Sequence, residues 1–146
     1  MNVLIIHGPN LNMLGYRDKK IYGSMTYEGL KEYISVYAKS KGMNTAFFQS
    51  NHEGELIDCI QESCHGDFDA IVINAGAYSH YSYAIRDALE ICHFPKVEVH
   101  LSNVMQREDF RKTLVLSDVC DRTIYGLGPE GYLLALDFLL DKTHNV

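Results

Sequence analysis

The run Ala70-Ile71-Val72-Ile73 is apolar at every position and stops at once in Asn74-Ala75-Gly76-Ala77. A short run without polar alternation, bounded by a turn, reads as a strand buried on both faces. Val3-Leu4-Ile5-Ile6 has the same character and ends in the breaker Gly8-Pro9-Asn10. Thr45-Ala46-Phe47-Phe48, Lys96-Val97-Glu98-Val99-His100-Leu101 and Thr123-Ile124-Tyr125 supply three more strands. Helical patterns lie between them. Thr26 can cap a helix on which Leu30, Tyr33, Ile34, Tyr37 and Ala38 share one face. Leu56, Ile57, Ile60 and Cys64 mark a second helix, and Ala84, Ile85, Ala88, Leu89 and Cys92 a third. A leucine-rich segment from Gly131 to Leu140 forms the last. Such alternation predicts an α/β fold: a doubly wound, flavodoxin-like sheet of five parallel strands with helices on both faces. No linker, repeat or low-complexity tract interrupts residues 1–146, so they read as a single domain.

Composition narrows the function classes. With 47% apolar and 22% charged residues, a chain of 146 residues can bury about two-thirds of its unfolded surface, leaving roughly 7,600 Å² exposed. A net charge of −6 argues against nucleic-acid or anionic-membrane partners. Apolar stretches are too short to span a bilayer. The start, Met1-Asn2-Val3-Leu4-Ile5-Ile6-His7, reads as a strand, not an export signal. Cys59, Cys64, Cys92 and Cys120 form no C-x-x-C pair and are expected to be small buried hydrophobes in a reducing cytoplasm. No histidine has the partners that a zinc site needs, so no metal is expected. There are ten tyrosines and no tryptophan; Tyr33 and Tyr37 fit helix-face packing, and others need a different account.

Ligands of such sheets bind beyond the carboxyl ends of the strands. The segments there are His7–Met25, Gln49–Glu53, Asn74–His80 and His100–Arg111, dense in Asn, Ser, His and Arg. The first is unusually long, as a lid would be, with the lid proper at about residues 16–25. Arg17 and Tyr22 lie on it, either packing on the surface or serving a site. Asn74 to Ser82 offers backbone N–H groups and hydroxyls at a helix start, or simple capping by Ser79. His100 ends a strand at this edge, where it is either structural or a general acid or base. Arg107 and Arg111 stand four apart, so one helical face presents either two guanidiniums to a carboxylate or a solvated pair. Gly126-Leu127-Gly128-Pro129-Glu130-Gly131 spells a dinucleotide fingerprint, but the chain ends before the strand and acidic residue that it requires. A tight helix-entry turn fits better. No P-loop lysine motif or phosphoacceptor aspartate cluster appears; the equivalent strand ends carry His7-Gly8 and Asn74.

In combination, Gly8-Pro9-Asn10-Leu11-Asn12, Ile21-Tyr22-Gly23, Gln49-Ser50-Asn51-His52-Glu53-Gly54, Asn74-Ala75-Gly76-Ala77-Tyr78-Ser79-His80 and Glu98-Val99-His100-Leu101-Ser102-Asn103 occur in fixed order. With Leu14-Gly15, Gly126-Leu127-Gly128 and Gly131-Tyr132, they make the chain resemble the type II 3-dehydroquinate dehydratases from Val3 to Leu140. That resemblance implies a cofactor-free hydro-lyase of the shikimate and quinate pathways, acting on a small cyclic hydroxy-carboxylate and assembled as a dodecamer, a tetramer of trimers. It implies that Tyr22 removes a proton from C2, that Arg17 favours the tyrosinate and stabilises the enolate, and that His100 protonates the departing hydroxyl. Asn74, His80, Leu101, Ser102 and Arg111 match the substrate pocket, with Asn10 beside it. Asp87 matches a residue reaching the site from a neighbouring subunit.

Elementary chemistry fits these roles. Dehydration beside a ketone needs a base at carbon, an acid at the leaving oxygen and charge stabilisation at the enolate. A phenol of ordinary pKa about 10 needs roughly 3 kcal/mol of help to act near neutrality. A nearby guanidinium in a closed site can supply much of it, so the lid must shut before the chemistry. The chain departs from the family pattern at His7, where Asn is more usual, and at Asp18-Lys19-Lys20, which replaces a Glu-Pro-acidic stretch. Loss of that proline implies a more flexible lid. The segment Ser117–Arg122 is also more charged than the pattern. Two other classes fit less well: a lyase or isomerase of another cyclic hydroxy-carboxylate, and a non-catalytic flavodoxin-like binding module.

Overall fold

The computed structural model describes residues 1–145. Five parallel strands, β1 (Asn2–His7), β2 (Asn44–Gln49), β3 (Ala70–Asn74), β4 (Lys96–His100) and β5 (Arg122–Tyr125), form one sheet in the order β2-β1-β3-β4-β5. All four pairings are parallel, as the two-faced apolar runs predict. The helices are α1 (Lys19–Tyr22), α2 (Tyr27–Ser40), α3 (Glu53–Ser63), α4 (Tyr83–Ile91) and α5 (Glu130–His144). The exposed area, 7398 Å², is close to the size-based expectation.

Side-chain alternation along each strand divides the interior into two cores. Val3, Ile5, Val72, Val97 and Val99 face Leu30, Ile34 and Ala38 of α2 and Tyr132, Ala135, Leu136 and Leu139 of α5. Leu4, Ile6, Ile71 and Ile73 face Leu56 and Ile60 of α3 and Ile85, Ala88 and Leu89 of α4. Thr26 caps α2, its hydroxyl accepting from Gly29 N at 3.0 Å.

Three local expectations need correction. The cap of α4 is Ser82, whose Oγ accepts from Ile85 N at 3.1 Å, because a 3-10 turn over Gly76–His80 carries Ser79 into the interior instead. The lid is not all loop: α1 is a helical turn within it, opened by Asp18, whose carboxylate accepts from Lys20 N at 2.9 Å. The cysteines are not all unpaired. Cys64 and Cys92, with Cα atoms 5.5 Å apart, form a disulfide between the ends of α3 and α4, while Cys59 and Cys120 are free. Their 28-residue separation gave no local spacing signal.

The register sets the site. His7 pairs with Gln49 on one side and Asn74 on the other, and His100 pairs with Tyr125, so the polar residues that end the strands form one rim. Close approach of the β1 and β3 exits requires a glycine: a Cβ on Gly8 would stand 2.3 Å from the Ala75 carbonyl oxygen.

Candidate active site

A cavity of about 110 Å³ opens at this rim, enclosed by the lid, the β3 and β4 exits and the segment from Leu101 to Arg111. Asn10, Arg17, Tyr22, Asn74, His80, His100, Leu101, Ser102 and Arg111 all line it. Asp87 does not: it is exposed on α4, beside Arg86, and contributes nothing to the pocket of its own chain.

On the lid side, α1 delivers Tyr22 into the cavity. Its phenol oxygen accepts from Arg17 Nη2 at 2.7 Å, and the Arg17 guanidinium also lies 3.8 Å from the centre of the ring. A second guanidinium converges on the same oxygen: Arg107 Nη1 donates to it at 2.7 Å and to Ser102 Oγ at 3.3 Å. Arg107 Nε is buried and has no hydrogen-bond partner among the described residues. Two cationic donors aimed at one oxygen are an arrangement for negative charge there. Arg107 was visible in the sequence as a basic residue but not as a partner of Tyr22. The predicted helical face shared with Arg111 does not exist, because the 3-10 turn Val104–Gln106 ends before Arg107 and another begins at Asp109. Both arginines reach the pocket nonetheless, Arg111 with its Nε paired to Glu108.

Opposite the lid, His100 is held by Glu98. The two are alternate residues of β4 and so share a face; His100 Nε2 lies 2.6 Å from Glu98 Oε2, with both side chains buried. Glu98 Oε1 accepts from Ser117 Oγ at 2.8 Å and Thr123 Oγ1 at 3.4 Å, which satisfies the carboxylate away from the cavity. Ser117 thus gives the polar segment before β5 a task; the sequence reading missed Glu98, although its Glu-x-His spacing on a strand could have revealed the pair. With Nε2 committed to Glu98, Nδ1 is the nitrogen of His100 left for chemistry.

His80 packs against His100, ring centres 6.2 Å apart, and its Nδ1 donates to the Thr113 carbonyl at 3.0 Å. Burial pushes its pKa below the ordinary histidine value, against the opposing effect of the Thr113 hydrogen bond, and the charges of His100 and Arg111 add to the fall. Asn74 Oδ1 accepts from Gly76 N at 3.2 Å and its Nδ2 donates to Tyr132 Oη at 3.1 Å. Asn10 sits in the left-handed region, φ 70°, with its N–H donating to Asn51 Oδ1 at 3.0 Å. The Gly126–Gly131 turn is a structural clamp. Gly126 N and Gly128 N donate to the Ser102 and Leu101 carbonyls, each at 3.0 Å, and lock the backbone of those two pocket residues.

Comparison with known proteins gives the family. The model of the dehydroquinase class II family matches residues 1–140. The 3-dehydroquinate dehydratase of Thermotoga neapolitana is 55% identical over 139 residues, covering 95% of this chain and 94% of its own. The crystal structure of type II dehydroquinase from Butyrivibrio crossotus superposes with a TM-score of 0.94 at 53% identity, covering 96% of this chain and 97% of that one. The type II dehydroquinase structure from Propionibacterium acnes gives 0.92 at 38% identity, with 96% of each chain covered. By sequence and fold, the chain belongs to the class II dehydroquinase family.

Proposed function

We propose that this chain catalyses the reversible dehydration of 3-dehydroquinate to 3-dehydroshikimate and water, as a lyase of the shikimate or quinate pathway. The observation that carries the mechanism is the convergence of Arg17 and Arg107 on the Tyr22 oxygen in the same cavity that His100, held by Glu98, lines. Tyr22 takes the C2 proton, and the electron pair of that C–H bond moves into the enolate. The C–O bond to the leaving hydroxyl then breaks as His100 gives it a proton, and the departing group is water. Glu98 holds the His100 ring in place for the transfer. The substrate carries a carboxylate, and Arg111 with the unpaired Nε of Arg107 makes the pocket locally positive within an acidic protein. Asn10, Asn74, His80, Leu101 and Ser102 orient its hydroxyls and ring.

Each chemical task falls to a side chain, so the proposed reaction uses no cofactor; full activity after dialysis against a chelator is the expected result. The assembly is proposed as a dodecamer in which Asp87 serves a neighbouring pocket. Tyr83 and Ile91, 67% and 58% exposed on the same helix, offer apolar area for that contact. Light scattering should give twelve times the protomer mass. A cytoplasmic location is proposed from the resemblance to the enzyme family; no helix among the described residues is long and apolar enough to cross a membrane. The deciding experiment is an assay on 3-dehydroquinate that follows the conjugated-enone absorbance of the product. No absorbance change with 3-dehydroquinate, alongside turnover of another cyclic hydroxy-carboxylate, would replace this reading with a different lyase.

A further inference from the structure

We propose that His7 is a positioning residue for substrate binding: from beneath the site, it sets the direction of a hydrogen-bond chain that fixes how the Asn74 amide faces the pocket. The inference rests on Asn74 contacting substrate, as proposed above. His7 ends β1 and is 0% exposed. Its Nδ1 lies 3.0 Å from Tyr27 Oη and its Nε2 2.9 Å from Tyr132 Oη. Tyr132, also 0% exposed, accepts from Asn74 Nδ2. The rings of Phe47, stacked at 6.5 Å, and Tyr27, edge-on at 5.2 Å, hold the imidazole in place.

Hydrogen counting gives this chain one consistent direction. A phenol has one hydrogen to donate. The Tyr132 oxygen already accepts from Asn74, so its hydrogen goes to His7 Nε2; otherwise a buried donor is left without an acceptor. His7 is then the neutral Nδ1–H tautomer and donates to Tyr27. Burial supports neutrality, with Lys31 adding to it, holding the pKa down at about 3. A proton on Nε2 would reverse the order. Tyr132 would have to donate to Asn74, the amide would turn over, and its NH₂ would face the Gly76 N–H that Oδ1 now satisfies. The tautomer buried below the sheet edge and the amide orientation in the pocket are therefore one variable. The observed orientation leaves the second Nδ2 hydrogen and one lone pair of Oδ1 for substrate oxygens.

Two measurements on the full chain test this. Nitrogen-detected NMR of histidine-labelled protein should find His7 as the neutral Nδ1–H tautomer from pH 8 to pH 5; the Nε2–H tautomer or an imidazolium overturns the proposal. In the 3-dehydroquinate assay, His7→Phe and Tyr132→Phe should each raise KM about tenfold, the scale of one lost hydrogen bond, with kcat within about twofold. His7→Gln, which keeps one donor and one acceptor, should recover most of the loss. In an Asn74→Ala background His7→Phe should leave KM unchanged. An undiminished effect in that background, or no rescue by Gln, overturns the proposal. Should His7→Phe not fold, Tyr132→Phe and His7→Gln carry the same comparison. A parent chain inactive on 3-dehydroquinate would sink the proposed function, while the NMR result still decides the direction of the chain.

Discussion

Tyr22 and Arg107 separate what a residue type announces from what only folding reveals. Tyr22→Phe removes the oxygen on which both guanidiniums converge and leaves the ring under Arg17. It should lower kcat by about 10³-fold, within the range for a general base. Substrate affinity, read by calorimetry, should change little; near-parental turnover would remove Tyr22 from the base role. Arg107→Met keeps the length of the side chain and deletes one of the two cationic donors. Losing one of the two charged donors that hold negative charge on the base oxygen predicts a drop in kcat of about 10²-fold, with Arg17 retaining the remainder. Equal loss from an Arg111→Met variant, whose guanidinium is tied to Glu108 instead, would show that overall positive charge matters and not contact with Tyr22. The sequence placed both arginines near a ligand edge. It did not reveal which one meets the tyrosine, because 85 residues separate Arg107 from Tyr22 and only the closed lid brings them together.

Elements were legible wherever burial dictates the pattern. β1 and β3 are apolar on both faces because helices cover both, so their type and the parallel, doubly wound sheet followed from sequence alone. The misreadings are local and share a cause. Ser79 and Ser82 are equivalent as caps on paper, and backbone geometry after β3 decides between them. A four-residue turn such as α1 buries no residue and so leaves no hydrophobic period to detect. Its stop is set by Gly23 and its start by the Asp18 cap. The junction of β1 with β3 makes the sharpest test at this scale. Gly8→Ala puts a Cβ against backbone, where no side chain can rotate aside. Overpacking of this kind should cost about 3 kcal/mol, which corresponds to a fall in melting temperature of about 6–12 °C for a chain of this length. A calorimetric melt within a degree of the parent would mean that the two strand exits can separate, and that the rim on which the site stands is not rigid.

At the scale of the whole molecule, burial of histidines and pairing of carboxylates govern how stability responds to pH. The pKa of His7 is held at about 3 by burial, against 6.5 unfolded. Below pH 6.5 the unfolded chain therefore binds a proton that the native chain refuses, and stability falls as pH falls, by about 1.4 kcal/mol per unit per group at most. His80 acts in the same direction, through burial first and then the charges of His100 and Arg111. Asp118, held low by Arg86, and Asp121, held low by Lys142 and the Lys96 N–H against the opposing effect of burial, contribute stability that is present above pH 4 and lost only below it. Histidines thus act first on acidification and carboxylates second. Urea midpoints measured from pH 7 to pH 5 should decline steadily across that interval, before the carboxylates titrate. His7→Gln removes the group of largest shift while retaining a donor and an acceptor in its place, so its decline over the same interval should be visibly shallower. Parallel curves for parent and variant would show that the unfolded chain does not gain this proton, or that water reaches His7 in the folded state, and the buried chain from Tyr27 to Asn74 would then not be the closed unit that its geometry describes.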